Sequence, residues 1–95
     1  MSDADSADVV RRKLVVSGRV QGVFFRETLR KMALEKGVTG WAKNTREGLE
    51  AALEGPRPDV EELVRWCRTG PPHAVVIHVQ ESEEAPTGEE GFRVR

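Results

Sequence analysis

Apolar positions along this chain repeat in turn with a period of two and a period of about 3.6 residues, the marks of strand and helix. Arg12 to Val20 (RKLVVSGRV) is rich in β-branched residues and predicts a first strand. Beyond the loop around Gly22, Phe25, Leu29, Met32 and Ala33 recur at i, i+4, i+7 and i+8. That spacing lays one apolar stripe along a helix from about Phe24 to Lys36, with Gly37 as its stop. Arg30, Lys31 and Lys36 gather towards its carbonyl end, where cations oppose the helix dipole.

Val38 to Asn44 and Leu49 to Glu54 predict two more strands, joined by the turn Thr45-Arg46-Glu47-Gly48. In the latter strand Leu49, Ala51 and Leu53 alternate with Glu50, Ala52 and Glu54, which predicts one face in the core and one in water. Gly55-Pro56-Arg57-Pro58-Asp59 breaks the ladder and opens a helix, since proline is tolerated in a first turn. Val60, Leu63, Val64 and Cys67 form its apolar face, and Gly70-Pro71-Pro72 ends it. Ala74 to Val79 predicts a fourth strand, Glu81 to Gly91 a polar loop, and Phe92-Arg93-Val94 a short closing strand.

The order is βαββαβ with a terminal strand added. Two helices, each apolar on one side, must cover the same face of one sheet, because 95 residues cannot supply two helical layers. The expected fold is an α+β, ferredoxin-like sandwich with a mostly antiparallel sheet. Residues 9–95 are expected to form one domain, and the small, acidic opening MSDADSAD (1–8) a disordered leader.

Composition narrows the class. No apolar run approaches the roughly 20 residues of a membrane span, and the opening lacks the pattern of a signal peptide. Cys67 is the only cysteine, which excludes an internal disulfide and a Cys-rich zinc site. A soluble, cytoplasmic monomer is expected, with no membrane or nucleic-acid partner. The net charge of −1 hides an asymmetry: residues 9–80 hold 13 of the 15 bases but eight of the 16 acids. A positive body with acidic fringes suits a small anion better than nucleic acid, although the charge arithmetic alone favours plain scattered surface charge over either.

The candidate chemistry lies where the first strand meets the first helix, in Gly18-Arg19-Val20-Gln21-Gly22-Val23-Phe24-Phe25-Arg26. The leading N–H groups of a helix lack intrahelical partners and point outward into positive potential. Gly22 lets consecutive amides curl into a concave nest for an anion. From the first helical turn the Arg26 guanidinium can reach back and grip two oxygens at once. Taken alone, the pattern fits a tight turn with a solvated arginine better than a binding loop.

GRVQGVFFR nevertheless resembles the first signature of the acylphosphatase family, and Gly40-Trp41-Ala42-Lys43-Asn44-Thr45-Arg46-Glu47-Gly48 resembles the second. The resemblance runs from about Lys13 through Gly55-Pro56, Gly70-Pro71-Pro72-His73-Ala74 and Gly91-Phe92-Arg93-Val94-Arg95. It implies the same ferredoxin-like fold and metal-independent, cofactor-free hydrolysis of a carboxyl–phosphate anhydride to carboxylate and inorganic phosphate, the latter also an inhibitor. It further implies that Arg26 and the backbone amides of Gln21, Gly22, Val23, Phe24 and Phe25 bind the phosphate, while Asn44 orients the attacking water. Relative to the family pattern, the hairpin after Gly48 is one residue short, a change expected to leave the site intact.

Other residues invite weaker readings. His73 and His78 are expected at the surface, Cys67 in the core, and Lys43 on the face opposite Asn44. Arg19 is read as a solvated charge at least as readily as a contributor to local potential. Trp41 is assigned to sheet packing ahead of an acyl-group wall, and Trp66 to the helix–sheet seam. Three competing functions share the fold: an accessory module binding a phosphorylated metabolite, a regulatory ligand-binding domain and an RNA-binding domain. The RNA reading is weak, because 5% aromatic residues cannot furnish a stacking platform on the central strands.

Overall fold

The elements run β1 (Val9–Arg19), α1 (Phe25–Lys36), β2 (Thr39–Asn44), β3 (Gly48–Pro56), α2 (Arg57–Cys67), β4 (Val75–Glu84) and β5 (Phe92–Val94) in the computed structural model, which describes residues 8–95. The sheet order is β4-β1-β3-β2-β5. β1 is antiparallel to β3 and β4, β2 is antiparallel to β3, and the short β5 joins β2 in parallel. This is the ferredoxin-like topology that the alternating patterns predict. The expected leader lies outside the described residues except for Asp8, whose carboxylate accepts hydrogen bonds from Arg57 at the start of α2.

Both helices cover one face, α1 over β2 and β5 and α2 over β1 and β3. Leu14 and Val16 of β1 and Leu49, Ala51 and Leu53 of β3 point into that layer and are fully buried. They meet Phe25, Leu29 and Ala33 from α1 and Val60, Leu63 and Cys67 from α2. Phe25 and Trp66 join the two helices edge to face, ring centroids 5.1 Å apart at 64°, a favourable alignment of aromatic quadrupoles.

Two expectations about the sheet require correction. Ala52 and Glu54, predicted to face water, are buried. The polar loop predicted from Glu81 begins only after Glu84, because Glu81 to Glu84 extend β4 along the first half of β1. For Glu54 and for Glu81 to Glu84 the cause is pairing with Arg11 and Arg12 of β1. Arg11 donates to Glu84 (3.0 Å), to Glu89 (2.9 Å) and to Glu54 (3.0 Å). Arg12 reaches Glu81 at 2.9 Å and Glu83 at 3.3 Å. The loop after β4 then folds over Glu54, whose oxygens accept the N–H groups of Thr87 (2.9 Å) and Gly88 (2.8 Å). The acidic fringe thus neutralises part of the basic body. Burial alone would raise the Glu54 pKa, but the two amides and Arg11 outweigh it and hold the carboxyl below its ordinary range.

Candidate active site

Strand β1 delivers Val20 into the core, and the chain then turns through Gln21–Phe24 before α1 begins at the buried Phe25. The turn needs two left-handed residues, Gly22 at φ 75° and Phe24 at φ 63°. Glycine takes that conformation freely, whereas for phenylalanine it costs about 1–2 kcal/mol. Phe24 is also 77% exposed, so no packing within the chain offsets that strain. Its carbonyl accepts the Thr28 N–H at 3.0 Å, the opening hydrogen bond of α1. No side chain caps this helix, which leaves its leading N–H groups turned towards solvent or a ligand.

Asn44 closes β2. Alternation with the buried Gly40 and Ala42 places it on the helix-facing side of the sheet, level with the start of α1. The half-buried Arg26 donates through Nη1 to the Arg95 carbonyl at 2.9 Å, and Arg95 N–H in turn bonds Ala42 at 2.8 Å. One edge of the guanidinium is thereby pinned to the strand that carries Asn44, with its other donors left over. Gln21 makes a second tie: Nε2 donates to the carbonyls of Thr45 (2.6 Å) and Gly48 (3.1 Å).

The result is one hollow of about 320 Å³ in which Gly22, Phe24, Phe25, Arg26 and Asn44 come together. Of the other positions singled out in the sequence, Val23 packs against the core, and the Gln21 side chain faces the hairpin. A larger depression of about 620 Å³ runs along the outer face of α1 past Arg30, Lys31 and Leu34, and neither Arg26 nor Asn44 lines it.

The short hairpin keeps Asn44 in register opposite Leu49. Thr45 and Gly48 exchange both backbone hydrogen bonds (3.0 and 3.2 Å), closing the turn in two residues. Only glycine fits at 48, since a Cβ there would lie 2.2 Å from the Val16 carbonyl oxygen.

The remaining candidates separate from this hollow. Lys43 points to the open face beside Glu50 (3.8 Å), and Trp41 lies on that face between Lys43 (5.6 Å) and Arg95 (5.0 Å). His78 is exposed on β4 and Arg19 is exposed at the end of β1. Burial pushes the Cys67 thiol up to about 12, as befits a core residue and not a nucleophile. Among the described residues no three His, Cys, Asp or Glu side chains cluster as metal ligands, and no helix is long and apolar enough to cross a membrane. Sequence reasoning missed the Gln21 tie and the Arg95 carbonyl. The first had a signal in its place beside Gly22, whereas the second pairs residues 69 apart and had none.

Comparison with known proteins places the chain in context. The acylphosphatase family model matches residues 12–94. An acylphosphatase of Rubrobacter xylanophilus is 53% identical over 87 residues, covering 90% of this chain and 79% of that protein. The structure of an acylphosphatase from Coxiella burnetii superposes with a TM-score of 0.88 at 40% identity, over the full length of both chains. Full-length HypF, in its phosphate- and nucleotide-bound form, contains a similar unit: TM-score 0.85 and 27% identity over 93% of this chain but 12% of HypF.

Proposed function

The chain belongs to the acylphosphatase family, and from that membership we propose that it hydrolyses the carboxyl–phosphate anhydride of acyl phosphates without a metal or cofactor. The observation that carries the reading is the single hollow that Arg26 and Asn44 share with the uncapped start of α1.

The phosphoryl group sits in the turn, its oxygens taking backbone N–H groups from Gln21 to Phe25 and the free donors of Arg26. Charge developing on those oxygens meets fixed dipoles and a guanidinium that need not reorganise. The Asn44 carboxamide oxygen accepts one hydrogen of a water molecule and holds its lone pair in line with phosphorus. The water oxygen bonds to phosphorus as the bond to the carboxyl oxygen breaks, and the electron pair leaves on the carboxylate. The water's proton passes to a phosphoryl oxygen. A carboxylic acid with a pKa of about 4 leaves readily as its anion, so no general acid is required. Both side chains come from one chain, which supports action as a monomer.

The experiment is phosphate release from benzoyl phosphate, with and without EDTA, beside a simple phosphomonoester. Rapid, chelator-insensitive cleavage of the anhydride alone is expected. Absence of turnover, with phosphate still bound, would make the chain a binding module instead.

A further inference from the structure

Beside the hollow that holds Arg26 and Asn44 lies a second one of about 410 Å³. The two meet at Gly22 and Phe24. Beyond that ridge the second hollow is walled by Val23, Pro71, Pro72 and His73, and its lining contains no Asp, Glu, Lys or Arg. The wall is stiff. Two consecutive prolines fix their own φ, His73 is held at φ 74°, and the Pro71 carbonyl closes the turn by accepting the Ala74 N–H at 3.1 Å. The same turn is docked on the site: at Gly70 an added Cβ would come within 2.8 Å of the Phe25 ring.

Phe24 supplies an independent observation. Its ring stands in solvent at the junction of the two hollows on a left-handed backbone, and it gains almost no burial from the rest of the chain. A ligand lying across the ridge would cover it.

The geometry of displacement gives the direction. In-line attack sends the leaving group away from the water across phosphorus. Asn44 lines only the first hollow and Pro71 to His73 only the second, so the second adjoins the site across Gly22 and Phe24 without reaching Asn44, while the depression of about 620 Å³ adjoins it at Phe24 and Glu27. Resting on the hydrolytic reading above, we propose that the Phe24–His73 groove is the acyl subsite and selects neutral, apolar acyl groups, aromatic ones above all. An acyl group bearing its own negative charge finds no lysine or arginine there, and an acetyl group offers little apolar surface for the groove to cover.

The test compares phenacylphosphonate and acetonylphosphonate, non-hydrolysable counterparts of benzoyl and acetyl phosphate, by calorimetry with the intact protein. The phenacyl compound is expected to bind about tenfold more tightly, a fraction of what full burial of a phenyl ring can give. Pro72→Glu and His73→Glu, both at exposed positions, are expected to abolish that preference while leaving acetonylphosphonate affinity within twofold. Equal affinity of the two compounds for the wild type, or an undiminished preference in both variants, would overturn the proposal. Preferential phenacylphosphonate binding without benzoyl phosphate turnover would uphold the groove and remove the hydrolytic reading. Turnover of both acyl phosphates with the same KM would do the reverse.

Discussion

Gln21 is bonded to Thr45: its side-chain amide donates to the Thr45 carbonyl at 2.6 Å and reaches the Gly48 carbonyl at 3.1 Å. The loop that would cradle a phosphate is thus stitched to the hairpin that carries Asn44. A small shift between the two would move water out of line with phosphorus. Gln21→Ala is expected to lower kcat about tenfold, because misplacement of reacting groups by an ångström is costly. It should lower stability by about 1 kcal/mol for the lost hydrogen bonds, read by thermal unfolding. Inorganic phosphate inhibition should change little, since the backbone amides are retained.

The proposed role of Arg26 is to hold the phosphate itself, not to align the loop with the hairpin. Arg26→Ala is expected to cut kcat/KM by a factor of about 10² to 10³ and to weaken inhibition by inorganic phosphate. Arg26→Lys keeps the charge but loses the planar fork that can hold the Arg95 carbonyl and phosphate together, so it should recover only part of that loss. Steady-state kinetics with phosphate as inhibitor reads both.

The buried pair at the far end of the sheet makes a prediction in pH. Glu54 has a folded-state pKa below its unfolded value, held there by Thr87, Gly88 and Arg11 against the cost of burial. Its contribution is present above the unfolded pKa and is lost as pH falls through the folded one. Glu54→Gln is expected to cost about 2 kcal/mol at pH 7, with the gap to wild type narrowing below pH of about 4. Urea unfolding across that range measures it.

Cys67 is predicted to be inert. With its thiol pushed up to about 12 by complete burial, it carries almost no thiolate at neutral pH. Ellman's reagent should fail to react with the native protein at pH 8 and should titrate one thiol after denaturation. Stoichiometric labelling of the folded protein within minutes would contradict the assignment.

The order of elements and the helix faces were legible because each rests on local periodicity. Phe25, Leu29 and Ala33 are buried as their spacing requires, and so are Val60, Leu63, Val64 and Cys67. Alternation along β2 likewise separates Asn44 from Lys43. What escaped was non-local. Glu54 looks like a solvent residue until residues 84–89 cross over it, and Glu81 to Glu84 look like loop until they meet Arg11 and Arg12. The helix was expected to start at Phe24, yet that residue is its left-handed cap, a conformation no propensity predicts for phenylalanine. Arg26 and Asn44 were legible as a pair only through the two motifs, since their meeting depends on the pairing of β2 with β5 and on the Arg95 carbonyl.

The proposed division of labour between Arg26 and Asn44 is tested most directly by measuring kcat on benzoyl phosphate and the inhibition constant of inorganic phosphate for Asn44→Ala. A fall in kcat of about 10² or more, with the inhibition constant within twofold of wild type, is predicted for a residue that positions water and does not bind phosphate. Wild-type turnover in that variant, or a loss of phosphate binding equal to the loss of rate, would contradict it.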